Sequence, residues 1–187
     1  MIELLKAIDT KLFLFINGNH TEFMDSVMSF ASDKYAWIPF YLILLFFVWK
    51  KSKRNMWIAV LAVAILITFS DQVSVHLFKE TFQRYRPCHN LLLQGKIHLL
   101  NGNCGGQYGF VSSHAANTFA LMTFLIFFFR HKGFAVGMYL WASFVCYSRV
   151  YVGVHYPFDI VGGMALGIFL GLIGYKVYFH LIKKYAV

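Results

Sequence analysis

Carboxylates are scarce in this chain. Eight Asp and Glu residues stand among 187. Five of them precede Ala36, and beyond it only Asp71, Glu80 and Asp159 remain. No cluster of acids is available for magnesium or calcium, so a metal-free, cofactor-free chemistry is expected. Charge of either sign is sparse: 13% of residues are charged, about half the share usual in a soluble domain. Cysteine is limited to three residues without zinc-ligand spacing. Proline is equally rare, and no Pro- or Ser-rich linker, repeat or low-complexity tract divides the chain. One domain over residues 1–187 is expected. The start, "MIELLKAIDTKLFLFINGNH", lacks a basic region followed by a clean apolar core, and does not read as a secretory signal. Residues 1–34 read either as an amphipathic interfacial segment or as a short ordered arm packed on the rest.

What is abundant is apolar. Hydrophobic residues make up 59% and aromatic ones 19%, and mean hydropathy is +0.59. The fold class is all-α: a polytopic transmembrane helical bundle. Four runs, at 56–78, 113–130, 133–152 and 158–182, are long enough to cross a bilayer, and a shorter fifth lies at 35–50. The count is about five spans, or six if the N-terminal segment inserts. The formal charge is +9. Much of it lies in short clusters between apolar runs, which points to membrane orientation and away from nucleic acid. "KKSKR" (50–54), "RHK" (130–132) and "KK" (183–184) follow the first, third and fifth runs. All three are cytoplasmic in one five-span topology. The loops 79–112 and 148–157 then converge on the outer face. Cys88 and Cys104 share the first loop, where a disulfide can form. Free thiols are the alternative, and Cys146 reads as a small core residue.

Three polar groups lie on that outer face. In "KETFQRYRP", Lys79 and Arg86 are seven residues apart. A continuing helix places them on one face, and Pro87 ends the helix near Arg86. Alone, these are ordinary snorkelling cations. In "VSSHAAN", Ser112 or Ser113 can cap a helix start, which is an anion site by virtue of its free N–H groups, with His114 in the first turn. In "SRVYVGVHYPFD", Asp159 follows His155 by four residues. It can fix one ring nitrogen of His155 and leave the other as an exposed base or nucleophile. Arg149 is placed to meet the same anion, or else to pair with Asp159. Together the groups supply three cations, two helix starts, two histidines and one orienting acid, a set suited to phosphate.

These motifs resemble the type 2 phosphatidic acid phosphatase (PAP2) family, membrane relatives of the vanadium haloperoxidases. Lys-x6-Arg-Pro is matched by Lys79 and Arg86-Pro87. Ser-Arg-x5-His-x3-Asp is matched by Ser148, Arg149, His155 and Asp159. Pro-Ser-Gly-His is matched in part: Ser112 and His114 hold, while Val111 and Ser113 depart. The resemblance covers roughly residues 56–175. It implies a phosphohistidine formed on His155, oriented by Asp159, with His114 as proton donor and later base. Lys79, Arg86, Ser112, Ser113 and Arg149 would bind phosphate, with Ser148 a weaker candidate and Arg84 a head-group contact. It further implies an enzyme of a bacterial inner (cytoplasmic) membrane, facing the periplasm. Its partners are the bilayer and a lipid phosphate, first undecaprenyl diphosphate, alternatively phosphatidylglycerophosphate or a lipid A phosphate. A non-enzymatic anion or lipid carrier is the rival reading. Of the remaining polar residues, Asp71 reads as bonded to another helix, and Gly163, Gly167 and Gly171 as a close-packing ladder inside the bundle.

Overall fold

The computed structural model describes residues 2–102 and 104–185. Those residues form helices and loops, with no strand beyond one isolated bridge, Tyr85 to Tyr108. Two N-terminal helices, α1 (Ile2–Gly18) and α2 (Glu22–Ser32), precede five strongly apolar helical segments. Thr21 starts α2 by accepting from the amide of Met24. Helix α3 (Ile38–Ser52) begins on Pro39 and ends where Lys53 turns to φ 45°. Helix α4 (Met56–Gln72) runs through a π-helical stretch, Val73–Lys79, into the short turn α5 (Glu80–Phe82). After a long loop come α6 (Ser113–Phe129), α7 (Lys132–Tyr151) and α8 (Pro157–Tyr185). The five expected apolar runs each coincide with one of these apolar helices. The helical runs both long and apolar enough to cross a membrane are Ile38–Phe82 and Pro157–Lys184, and α6 is a shorter apolar helix.

Helix α6 is the axis. Ala115, Ala116, Phe119, Ala120, Met122 and Phe124 are all buried on it, and α8 is its tightest partner. The reason is the small-residue ladder. A Cβ at Gly163 would lie 2.8 Å from the Cβ of Ala115, and one at Gly171 2.7 Å from the Cβ of Thr123. Backbones come this close only where side chains are missing. Around the axis, α3, α4, α7 and α8 turn Phe46, Leu61, Leu140 and Phe169 outward, an apolar surface suited to lipid.

The two ends differ in charge. Lys51 donates to the carbonyls of Phe128 (2.7 Å) and Phe129 (3.2 Å) at the end of α6, and Arg130 donates to Tyr175 Oη. The basic clusters after α3 and α6 therefore share one end. The start of α6, the end of α7 and the start of α8 lie at the other, which carries the polar motifs.

The segment 2–34 takes the packed-arm form while keeping an amphipathic character. Asp9, Phe13 and Asn17, at i, i+4 and i+8, are fully buried against the bundle. Leu4, Leu12 and Phe15 stay exposed on the outer side. Asn17 grips the loop: its amide donates to the carbonyls of His98 (2.8 Å) and Tyr151 (2.7 Å) and accepts from His98 N–H (2.9 Å).

Candidate active site

The loop 83–112 shapes the site from one side. The expected shared helical face for Lys79 and Arg86 is not what forms. The helix stops at Phe82 because Gln83 adopts φ 45°, ψ 34°, so Arg86 reaches the site from extended backbone. Its amide donates to Gln107 O, and Gly109 N–H donates to Arg84 O. Cys88 and Cys104 are disulfide-bonded across this loop, with Cα atoms 6.0 Å apart. The Arg86 guanidinium donates to Cys104 O (2.9 Å) and Tyr108 O (3.3 Å), which fixes its direction.

Lys79 ends the π-helical stretch and donates to Ser113 Oγ at 2.7 Å. Ser113 Oγ also lies 2.6 Å from Ser74 Oγ, which in turn donates to Asp71 O. The residue that departs from the family's glycine thus anchors the lysine. Ser112 is the helix cap: its Oγ accepts from Ala115 N–H, and its own N–H donates to Asp159 O at 3.0 Å. That bond ties the start of α6 to the start of α8. His114 follows in the first turn of α6 and lies in the electrostatic field of Lys79, Arg86 and Arg149.

His155 lies in the loop between α7 and α8, and its Nδ1 is 3.3 Å from Asp159 Oδ2. Nε2 is therefore the nitrogen left for chemistry. The ring is buried, at 1% exposure, where the sequence pointed to an exposed base. Burial and then the charges of Arg86, Arg149, Lys79 and Arg84 hold His155 well below the ordinary histidine range. The ring is neutral near pH 7, with its lone pair available.

Arg149 does not pair with Asp159. It donates to the backbone carbonyl and hydroxyl of Ser32 on α2, and its buried Nε has no protein partner. Ser148 is turned away, donating to Val145 O within its own helix at 2.7 Å. Arg84, read as a head-group contact, instead bonds Asp159 Oδ1 at 2.9 Å and Asp9 Oδ2 at 2.6 Å. Asp9 was missed by sequence reasoning. Its one signal was the alignment of Asp9 with Phe13 and Asn17 on a single helical face, two polar groups on a stripe that must be buried. Gly109 packs beside this network: a Cβ there would lie 2.9 Å from Asp159 Oδ2.

A cavity of about 760 Å³ opens onto the polar end. Lys79, Arg86, Ser113 and His114 line its head, and Leu44, Val48, Ile67, Leu125 and Trp141 line its body. Asp71, half-buried, lies between and accepts from Asn117 of α6 at 3.4 Å, the interhelical bond expected of an acid inside an apolar helix. Neither His155 nor Arg149 lines the cavity. Both lie within the electrostatic field of Arg86, which does line it.

The chain belongs to the PAP2 superfamily, whose sequence profile matches residues 56–183. It is 39% identical over 179 residues to Lipid A 4'-phosphatase of Bacteroides thetaiotaomicron, covering 95% of this chain and 80% of that protein. It is 28% identical over 178 residues to Undecaprenyl-diphosphatase of Sulfolobus acidocaldarius, covering 91% of this chain and 79% of that one. A solved structure of the PAP2-type phosphatidylglycerolphosphate phosphatase from Bacillus subtilis superposes with a TM-score of 0.74 at 19% identity, covering 97% of this chain and 89% of that chain. At that identity the likeness is one of fold. The chain is a PAP2 membrane phosphatase.

Proposed function

We propose that this protein hydrolyses a phosphate monoester on a lipid of the lipid A type, through a phosphohistidine on His155, at the outer face of a bacterial inner membrane. The observation that carries the reading is the cavity, which joins a head lined by the cations Lys79 and Arg86, with His114 beside them, to an apolar body. A lipid phosphate has the same two-part character. Undecaprenyl diphosphate is the first substrate the sequence pointed to. The likeness to a lipid A 4'-phosphatase is higher and as complete in coverage, and it reverses that order of preference.

The geometry supports the following chemistry. Lys79, Arg86, Arg149 and the amides at the start of α6 hold the phosphoryl oxygens and offset their charge. Nε2 of His155 attacks phosphorus, and the ester P–O bond breaks. His114 gives its proton to the departing oxygen. Asp159 accepts from Nδ1–H and stabilises the positive charge that forms on the ring. His114 then takes a proton from water. The resulting hydroxide attacks phosphorus, the P–N bond breaks and phosphate leaves. Positioning and charge stabilisation supply most of the acceleration in such transfers. With the basic end of the bundle in the cytoplasm, as a five-span reading with positive charge inside would have it, the site faces outward.

The test is phosphate release in detergent with excess EDTA, from 4'-phosphorylated lipid A and from undecaprenyl diphosphate in parallel. Turnover of the first by wild type, lost by more than about 10³-fold in His155→Ala, is the expected outcome. Faster release from undecaprenyl diphosphate returns that lipid to first place. Near-normal activity in His155→Ala removes the phosphohistidine, and binding without turnover by wild type favours a carrier.

A further inference from the structure

Asp159 has two oxygens with separate duties. Oδ2 accepts from Tyr156 N–H at 3.0 Å and faces His155 Nδ1 at 3.3 Å. Oδ1 accepts from Arg84 Nη1 at 2.9 Å. The other arm of the same guanidinium donates to Asp9 Oδ2 at 2.6 Å, and Asp9 Oδ1 accepts from Phe158 N–H at 2.9 Å. Phe158 is the second residue of α8, so this amide is one of the donors a helix start leaves free. Asp9 therefore caps α8 from another helix while it holds Arg84. Both carboxylates are fully buried, and Arg84 lies over the Tyr156 ring at 4.1 Å. The guanidinium is fixed by two acids and one aromatic face.

We propose that Arg84 and Asp9 are positioning residues for the phosphatase reaction: Arg84 locks the carboxylate of Asp159 against His155, and Asp9 balances the charge of Arg84. The inference rests on His155 being the nucleophile and Asp159 its orienting acid. It adds that the N-terminal helix, which lies outside the region matched to the family, sets the strength of that pair.

The charge count explains why all three members are needed. A lone Arg84 would draw on Asp159 and weaken its hold on His155. Asp9 takes half of the guanidinium and restores it. Without Arg84, two buried carboxylates would face each other, and one would bind a proton. Burial already raises the Asp9 carboxyl above its usual range, against the pull of Arg84. Among the described residues, the other charged or titratable groups around the pair are Lys79 at the end of the π-helical stretch, Arg86 from the loop, and His155 and Tyr156 from the α7–α8 connection.

The test uses the full chain in detergent with dioctanoyl phosphatidic acid, a phosphomonoester lipid that probes the chemistry apart from the head group. Arg84→Gln should lower kcat about 100-fold with KM within about twofold, and its kcat should rise more steeply with pH than that of wild type. Asp9→Asn should lower kcat about 10-fold without that steepening. The double variant should regain about 10-fold over Arg84→Gln and lose the added pH dependence, because Asp159 again has no rival acid. Additive losses, an unchanged pH profile, or a normal kcat per folded molecule overturns the proposal. If Arg84→Gln does not fold, Arg84→Lys carries the test. It keeps the charge and loses one arm of the fork, so kcat should fall with the wild-type pH profile, and an unchanged kcat overturns the idea. His155→Ala separates the two readings. Activity there removes the nucleophile itself. An inactive His155→Ala beside fully active Arg84 and Asp9 variants removes only the positioning role.

Discussion

Two helix pairs hold the same site by opposite means. Between α6 and α8 the contact is steric: glycines on α8 face alanines on α6, and the Ser112 amide adds a polar tie to Asp159 O where the two helices start. Between the α1–α2 pair and the rest, buried hydrogen bonds are added to the apolar contacts of Phe13 and Met28. Buried Asp9 and Asn17 reach the loops, Asp25 meets Tyr151 and His98, and Ser32 receives Arg149. The difference follows the solvent. In lipid, apolar faces gain little by meeting each other, and close backbone packing supplies the attraction. Near water, apolar burial is cheap to arrange, but direction must come from hydrogen bonds. The steric pair fixes where the starts of α6 and α8 sit. The polar pair fixes how the side chains between them point.

The steric half is the easier to break. A Cβ at Gly167 would lie 2.9 Å from Phe119 Cβ and from Ala120 N. Gly167→Leu should cost more than about 4 kcal/mol, since neither backbone can yield without parting the helices. The expected result is no folded protein by size-exclusion chromatography and no activity. Gly137→Ala sharpens the contrast. Nothing lies within 4 Å of a Cβ there, and thermal unfolding in detergent should show a gain of up to about 1 kcal/mol from helix propensity alone. A folded Gly167→Leu would mean that the ladder is not the contact that sets the axis.

The polar half should give way by degrees. Asn17→Ala removes three hydrogen bonds and leaves the N–H and C=O of His98 and the carbonyl of Tyr151 without their partner. A loss of about 2–4 kcal/mol is expected, read as a lower Tm with the helical content kept. Amide exchange should speed up in residues 95–100 and leave α6 protected. Faster exchange along α6 would show that the two halves are one cooperative unit.

The same division explains what the sequence made legible. The apolar helices could be read because a lipid-facing helix is greasy for its whole length, and the glycine ladder because its period is that of the helix. The motif residues could be read from spacing within short stretches. The helix stop before Arg86 could not. Pro87 marked an end, but the left-handed turn at Gln83 came four residues earlier and carries no glycine to announce it. Arg84 and Asp9 were hidden for another reason. Their bonds join residues 9, 84 and 159, and no local period links such distant positions. The burial of His155 was hidden likewise, since the charged groups around it come from distant positions: Lys79, Arg84, Arg86 and Arg149.

A smaller loss than at Asn17 is expected at Asp25, at the edge of the polar half. Its Oδ1 accepts from Tyr151 Oη at 2.7 Å, and its Oδ2 lies 2.9 Å from His98 Nε2. Burial opposes the charge, but the bonds from Tyr151 and His98 outweigh it and hold the carboxyl below its usual range. A carboxyl with a lowered folded pKa adds stability above its unfolded value, near 4, and loses it as the pH falls through the folded one. Asp25→Asn should therefore lower Tm at pH 7, by an amount matching about 1–2 kcal/mol, and the gap to wild type should close as the medium is taken down toward pH 3. Activity at pH 7 should stay within about twofold, because Tyr151 and His98 hold the loop's outer edge and touch none of the groups proposed for chemistry. A gap that stays constant with pH would make Asp25 a packing residue. A large loss of kcat would mean that the end of α7, two residues from Arg149, transmits its position to the phosphate site.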